Sequence, residues 1–218
     1  MMSRKRVAVL ISGRGSNMAA LIEAAKDKNY PAEIVLVMSN RPDAGGLATA
    51  RDAGIATEAV DHKLYGKDRA AFDQAMQHVL ERHRIDIVCL AGFMRLLSPA
   101  FVAQWQERML NIHPALLPAF KGLDTHKRAL EAGAKVHGAT VHFVVPELDA
   151  GPIILQGAVT VRDGETESEL AARVLAIEHR VYPQALALVA KSRVRVMDGR
   201  CLIDGVAVPE CSTLIPAP

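Results

Sequence analysis

Residues 6–17 read Arg-Val-Ala-Val-Leu-Ile-Ser-Gly-Arg-Gly-Ser-Asn, and this stretch decides the class of fold. Val7–Ile11 is an aliphatic run with no polar alternation, which predicts a strand covered on both faces. The run, taken as Arg6–Ser12, is closed by Gly13; Asn17–Lys28 then places Met18, Leu21, Ile22 and Ala25 on one helical face. A buried strand that turns through glycines straight into a helix is the opening half of a β-α-β unit.

Working outward, the same alternation recurs. Glu33–Asn40 reads as a second strand, Gly46–Ala53 as a short helix and Ile55–Val60 as a third, weaker strand. Asp68–His83 carries Phe72, Ala75, Met76, Val79 and Leu80 at helical spacing, and Ile85–Ala91 is a continuous apolar strand. Such a series predicts a parallel sheet with right-handed crossovers. Beyond Gly92, Met109–His113 is expected to be a fifth strand and Thr125–Ala132 a short helix. His137–Val145 and Pro152–Arg162 have strand character and are joined by the short Pro146–Gly151, so an antiparallel edge pair is expected. Thr166–Lys191 is a long helix with an apolar stripe of Leu170, Val174, Ile177 and Val181, and Pro183 should kink or interrupt it. The expected fold is one α/β, Rossmann-like domain over 1–218: a mostly parallel twisted sheet, helices on both faces, and an antiparallel pair near the C-terminal third. Past Gly199 a short strand and a loose tail, about 204–218, are expected.

The bulk numbers exclude several classes. Of 218 residues half are hydrophobic and 23% charged, the balance of a globular enzyme, and the net charge is only +2. A dedicated nucleic-acid protein would concentrate Lys and Arg on one face, so no nucleic-acid partner is expected. No stretch approaches the roughly 20 apolar residues that span a bilayer, so no membrane partner is expected either. Cys89, Cys201 and Cys211 are odd in number and lack metal-ligand spacing, which points to the cytoplasm and to no metal. Cys89 lies in an apolar run and reads as inert packing.

Three polar constellations stand out. Gly15, Ser16 and Asn17 sit where backbone amides and a helix N-terminus could hold a phosphate, although a tight strand–helix turn with Ser16 or Asn17 as its N-cap would use the same residues. The spacing is neither the dinucleotide fingerprint nor a Walker loop. Asn111 and His113, two apart on a strand, share one face while Leu110 and Ile112 take the other. An amide donor beside an imidazole suits an oxyanion and a proton transfer, and a capped loop with a packed histidine is the structural alternative. Asp149, in Glu147-Leu-Asp-Ala-Gly-Pro152, would favour the imidazolium if it lay beside His113, or else is a turn aspartate.

Taken together, ISGRGSN, LAGFMRLLSP, NIHPALLPAFKG and VHFVVPELDAGPIILQ, followed by IEHRVYP, resemble the phosphoribosylglycinamide formyltransferases of purine biosynthesis over about Val7 to Pro183. The resemblance implies formyl transfer from 10-formyltetrahydrofolate, a co-substrate and not a permanently bound cofactor, to the amine of phosphoribosylglycinamide. It implies a catalytic group of Asn111, His113 and Asp149, and a phosphate and ribose site of Gly15, Ser16, Asn17 and Glu178. A folate site of Arg69, Met94, Arg95, Leu96, Leu97 and Asn111 is implied as well. Phosphate binding then falls in about 1–95 and the folate and catalytic part in about 96–200, in a monomer or homodimer. His126, His137, His142 and His179 receive no role, and Ala115 and Lys121 depart slightly from the common pattern. A methionyl-tRNA formyltransferase would be expected to carry a further C-terminal domain, and a formyltetrahydrofolate hydrolase a further N-terminal one. A non-catalytic nucleotide-sensing module on the same fold is the remaining alternative.

Overall fold

The computed structural model describes residues 3–204, and the expected tail beyond residue 204, with Cys211, lies outside them. Seven strands form one sheet in the order β3-β2-β1-β4-β5-β6-β7. Their ranges are β1 Lys5–Ile11, β2 Ala32–Ser39, β3 Ala56–Ala59, β4 Ile87–Leu90, β5 Met109–His113, β6 Val136–Phe143 and β7 Ile153–Thr160. Strands β1 to β5 pair in parallel, and β6 runs antiparallel to both β5 and β7.

The run that opens the chain behaves as its composition demands. Residues Val7 to Ile11 are all fully buried, and alternate side chains enter two different cores. Val7, Val9 and Ile11 face one layer, with α1 (Ser16–Ala25), α2 (Gly45–Asp52) and α6 (Glu167–Ala190). Ala8 and Leu10 face the other, with α3 (Arg69–Arg82) and Phe101 of α4 (Pro99–Gln104). Full burial of one such side chain is worth roughly 1.5–3 kcal/mol, so both faces of the strand contribute to stability. Cys89 is fully buried in the first of these layers, and burial pushes its thiol up to about 12, consistent with inert packing.

Helix α6 opens with a capping box in which Thr166 and Glu169 satisfy each other's backbone amides. It then runs unbroken past Pro183, contrary to the expected interruption. Burial of Val181, Tyr182, Ala185 and Leu186 around the proline offsets the roughly 3 kcal/mol that a lost helical hydrogen bond and ring clash cost. The Tyr182 hydroxyl lies 3.0 Å from the Leu90 carbonyl and 3.2 Å from that of Leu110, tying the helix to β4 and β5.

Two features lie outside the sequence expectation. Helix α4 is capped by the Ser98 hydroxyl and has Pro99 in its first turn. Past α6, β8 (Val194–Met197) and β9 (Arg200–Ile203) form a separate antiparallel hairpin rather than one short strand. Asp198 and Gly199 between them both have positive φ, 49° and 72°, the signature of the tight two-residue turn that matches strand twist. No described helix is long and apolar enough to cross a membrane.

Candidate functional site

The sheet order reverses between β1 and β4, since β2 and β3 lie to one side and β5 to β7 to the other. A crevice forms at such a switch point, outside the carboxyl ends of the parallel strands. Ser12, Gly92 and His113 all sit at those ends, and the Ser12 amide donates to the Gly92 carbonyl at 3.1 Å.

Asn111 and His113 share the β5 face of Met109, opposite Leu110 and Ile112, which enter the other core. His113 is buried, and its Nδ1 lies 3.4 Å from Asp149 Oδ2. Its Nε2 donates to the Phe120 carbonyl at 2.9 Å. Both ring nitrogens therefore face groups that only accept hydrogen bonds, an arrangement suited to an imidazolium. Asp149 has a left-handed φ of 49°, unusual for a residue with a side chain. The turn is held there by the Gly122 amide, which donates to Asp149 Oδ2 at 2.9 Å. Gly151 lets the turn close on β6, because a Cβ at that position would stand 1.8 Å from the Phe143 carbonyl oxygen.

One member of this cluster carried no assignment from sequence. His142, on β6, is the register partner of Asn111, and its Nε2 lies 3.2 Å from the Asn111 amide nitrogen. Its Nδ1 donates to the Phe143 carbonyl at 2.8 Å, so the neutral ring presents Nε2 as an acceptor to Asn111. Burial, above all, pushes this histidine's pKa down and keeps it neutral. One Asn111 N–H is thereby fixed, which orients the rest of the amide. His142 was hidden because β6 is buried along nearly its whole length, so no polar alternation marks the position.

At the β1–α1 joint Gly15, not Ser16 or Asn17, occupies the N-cap position, with a left-handed φ of 73° and no side-chain cap. The first helical hydrogen bond runs from the Ala19 amide to the Gly15 carbonyl. The amides of Ser16, Asn17 and Met18 thus have no intrahelical acceptor and lie at the positive end of the helix dipole. Ser16 is exposed, whereas Asn17 is buried and donates to Glu178 Oε2 at 2.5 Å. Glu178 is itself buried. Burial raises its pKa, and the Asn17 hydrogen bond opposes that shift. Asn17 Oδ1 is buried without a partner among the described residues.

Residues 93–97 leave the end of β4 as a loop in which Met94, Arg95 and Leu96 are exposed and Leu97 half-buried. Met94 and Leu96 keep 68% and 61% of their surface in solvent, apolar area not packed into either core. The Met94 amide donates to the Ser12 hydroxyl at 2.7 Å, bringing the loop against the end of β1. Arg69 is exposed in the first turn of α3, behind an Asp68 cap, and is not drawn into the catalytic cluster. Among the described residues no group of three or more His, Cys, Asp or Glu side chains could hold a metal ion.

This architecture has close counterparts among known proteins. The family model described as formyl transferase matches residues 5–186. Phosphoribosylglycinamide formyltransferase of Escherichia coli is 45% identical over 203 residues, 93% of this chain and 95% of that protein. The trifunctional purine biosynthetic protein adenosine-3 of Bos taurus is 54% identical over 88% of this chain. The chain spans about a fifth of that relative's length, 19%. Among solved structures, glycinamide ribonucleotide transformylase 1 of Symbiobacterium toebii superposes with a TM-score of 0.88 at 44% identity. That match covers 92% of this chain and 94% of the other. With a family match across most of its length and relatives of this identity, the chain belongs to the formyl transferase family, among its phosphoribosylglycinamide formyltransferases.

Proposed function

We propose that this protein transfers the formyl group of 10-formyltetrahydrofolate to the amine of phosphoribosylglycinamide, giving the N-formyl product and tetrahydrofolate. The observation that carries the reading is the convergence of Asn111, His113 and Asp149 at the carboxyl end of the sheet.

In this mechanism the neutral amine attacks the formyl carbon, and the carbonyl electron pair moves onto oxygen. Asn111 donates a hydrogen bond to that oxygen, while His113, paired with Asp149, supplies positive charge beside it. Collapse expels the folate nitrogen, which takes a proton from His113, and the proton lost by the former amine passes through water back to the imidazole, restoring the imidazolium. Asp149 stabilises the imidazolium between these steps. The amides at Ser16 and Asn17, opened by Gly15, bind the substrate phosphate. Glu178, held by Asn17, meets the ribose hydroxyls, its carboxylate accepting from them. Met94, Leu96 and Leu97 cover the folate ring, and Arg95 and Arg69 meet its acidic tail.

Purified protein with both substrates should give the formylated ribonucleotide in the presence of a chelator. Formylation of initiator methionyl-tRNA without reaction of the ribonucleotide, or hydrolysis of 10-formyltetrahydrofolate alone, would reject the proposal.

A further inference from the structure

The loop over residues 93–97 carries most of the side chains assigned to folate, yet most of it is exposed and has no regular structure. Something must fix its path, because a binding site that is set only part of the time loses affinity by that fraction. Two buried polar side chains from distant parts of the chain do so, one at each end.

At the entry, Ser12 is 7% exposed and holds the loop twice. Its amide donates to the Gly92 carbonyl at 3.1 Å, and its hydroxyl accepts from the Met94 amide at 2.7 Å. The hydroxyl proton goes to Asn40 Oδ1 at 2.6 Å, so Ser12 Oγ is engaged as donor and as acceptor, and its rotamer is fixed. At the exit, Asp73 of α3 is 3% exposed, and its Oδ2 accepts from the Ser98 amide at 2.7 Å, just where α4 begins. Its Oδ1 is buried without a partner among the described residues, a cost to the fold. Both contacts take backbone amides of the loop's boundary residues, so they set the chain path rather than a side chain.

We propose that Ser12 and Asp73 are positioning residues that clamp the two ends of the folate loop, one from the end of β1 and one from α3. The proposal rests on the reading that residues 94–97 meet folate. Neither residue touches the reacting atoms.

The test sets the Michaelis constant for the folate substrate against that for the ribonucleotide in variants at both ends. Ser12→Ala and Asp73→Ala each leave a part-buried backbone amide without its acceptor, and each should raise the folate KM about tenfold. The ribonucleotide KM should stay within about twofold, and amide exchange at Met94 or Ser98 should quicken by a similar factor. Ser12→Thr and Asp73→Asn keep an acceptor oxygen and should restore most of the folate KM. Ser12→Cys keeps the shape with a weaker acceptor and should give a smaller rise in the same direction. An unchanged folate KM in these variants of an active enzyme, or an equal rise in both KM values, overturns the proposal. Absence of formyl transfer in the wild type would instead overturn the functional reading beneath it.

Discussion

Asn111 and His142 face each other across the β5–β6 ladder, with the amide nitrogen 3.2 Å from the imidazole Nε2. The contact selects one orientation of an amide whose two ends are chemically opposite. It therefore determines whether Asn111 presents a donor to the crevice.

The catalytic cluster predicts large and coupled losses. Removing one preorganised oxyanion donor costs on the order of a hundredfold to a thousandfold in kcat, and Asn111→Ala and His113→Ala should fall in that range with KM values changed far less. Because Asp149 lies against His113 Nδ1, the double variant His113→Ala/Asp149→Asn should be little worse than the worse single one. Steady-state kinetics on the four proteins decides this. Fully multiplicative losses would mean that Asp149 does not act through His113.

A related expectation concerns His142. Replacing it by Phe keeps the ring but removes the acceptor that holds Asn111, so kcat should fall about tenfold. His142→Gln offers a carbonyl acceptor from a similar reach and should recover part of the loss. If both variants match the wild type in kcat, the amide is oriented by something else.

At the phosphate loop, Gly15 has a φ of 73°, and a Cβ there would lie 3.1 Å from the Met18 methyl. Gly15→Val adds a β-branched side chain where the left-handed backbone resists it and where a phosphate approaches the amides. The ribonucleotide KM should rise at least tenfold while folate binding, followed by calorimetry, stays near the wild-type value. An equal loss of folate affinity in a folded protein would reduce the loop to a turn.

Glu178 gives a prediction in which stability and function separate. Its carboxyl is raised above the ordinary range by burial, so the fold favours the protonated form. Stability should therefore decline as pH rises from the ordinary carboxylate range to the raised value, and no further beyond it. Glu178→Gln removes that decline. Its melting temperature should exceed the wild type by roughly 2–4 °C at pH 8, the effect of about 1 kcal/mol in a domain of this size, and match it near pH 4. The same variant should bind the ribonucleotide more weakly. Equal melting curves at both pH values would show that the carboxyl ionises without cost.

Acid should act on a histidine pair beside the site. His137 is fully buried, with Nε2 3.2 Å from His126 Nδ1, and burial followed by the charge of His126 pushes it down to about 4. A base depressed in the fold binds its proton more readily when unfolded. Stability is thus lost as pH falls from the ordinary value near 6.5 to about 4. His137→Gln should lower the melting temperature at neutral pH, yet flatten its fall over that window, by roughly 5 °C. A slope identical to the wild type would place the acid sensitivity elsewhere.

Periodicity by itself determined the β-α-β succession from Arg6 to Ala91, because burial on both faces of β1 and β4 leaves no choice but continuous apolar runs. It also determined the antiparallel β6–β7 pair and the shared face of Asn111 and His113, which follow from turn length and the two-residue repeat. Helix α4 and the β8–β9 hairpin were legible in principle, in Ser98-Pro99 and Asp198-Gly199, but each element is too short for periodicity to register. Only the tertiary structure decided which distant groups meet. Asp149 reaches His113 through a left-handed turn closed on β6, His142 reaches Asn111 through strand register, and Glu178 reaches Asn17 across 161 residues. Proline is the converse case: Pro183 reads as a kink or an interruption, and burial of its neighbours carries α6 through it without interruption. Local sequence fixes what a segment prefers, whereas contacts between segments depend on the register and packing of the whole sheet, which no single stretch encodes.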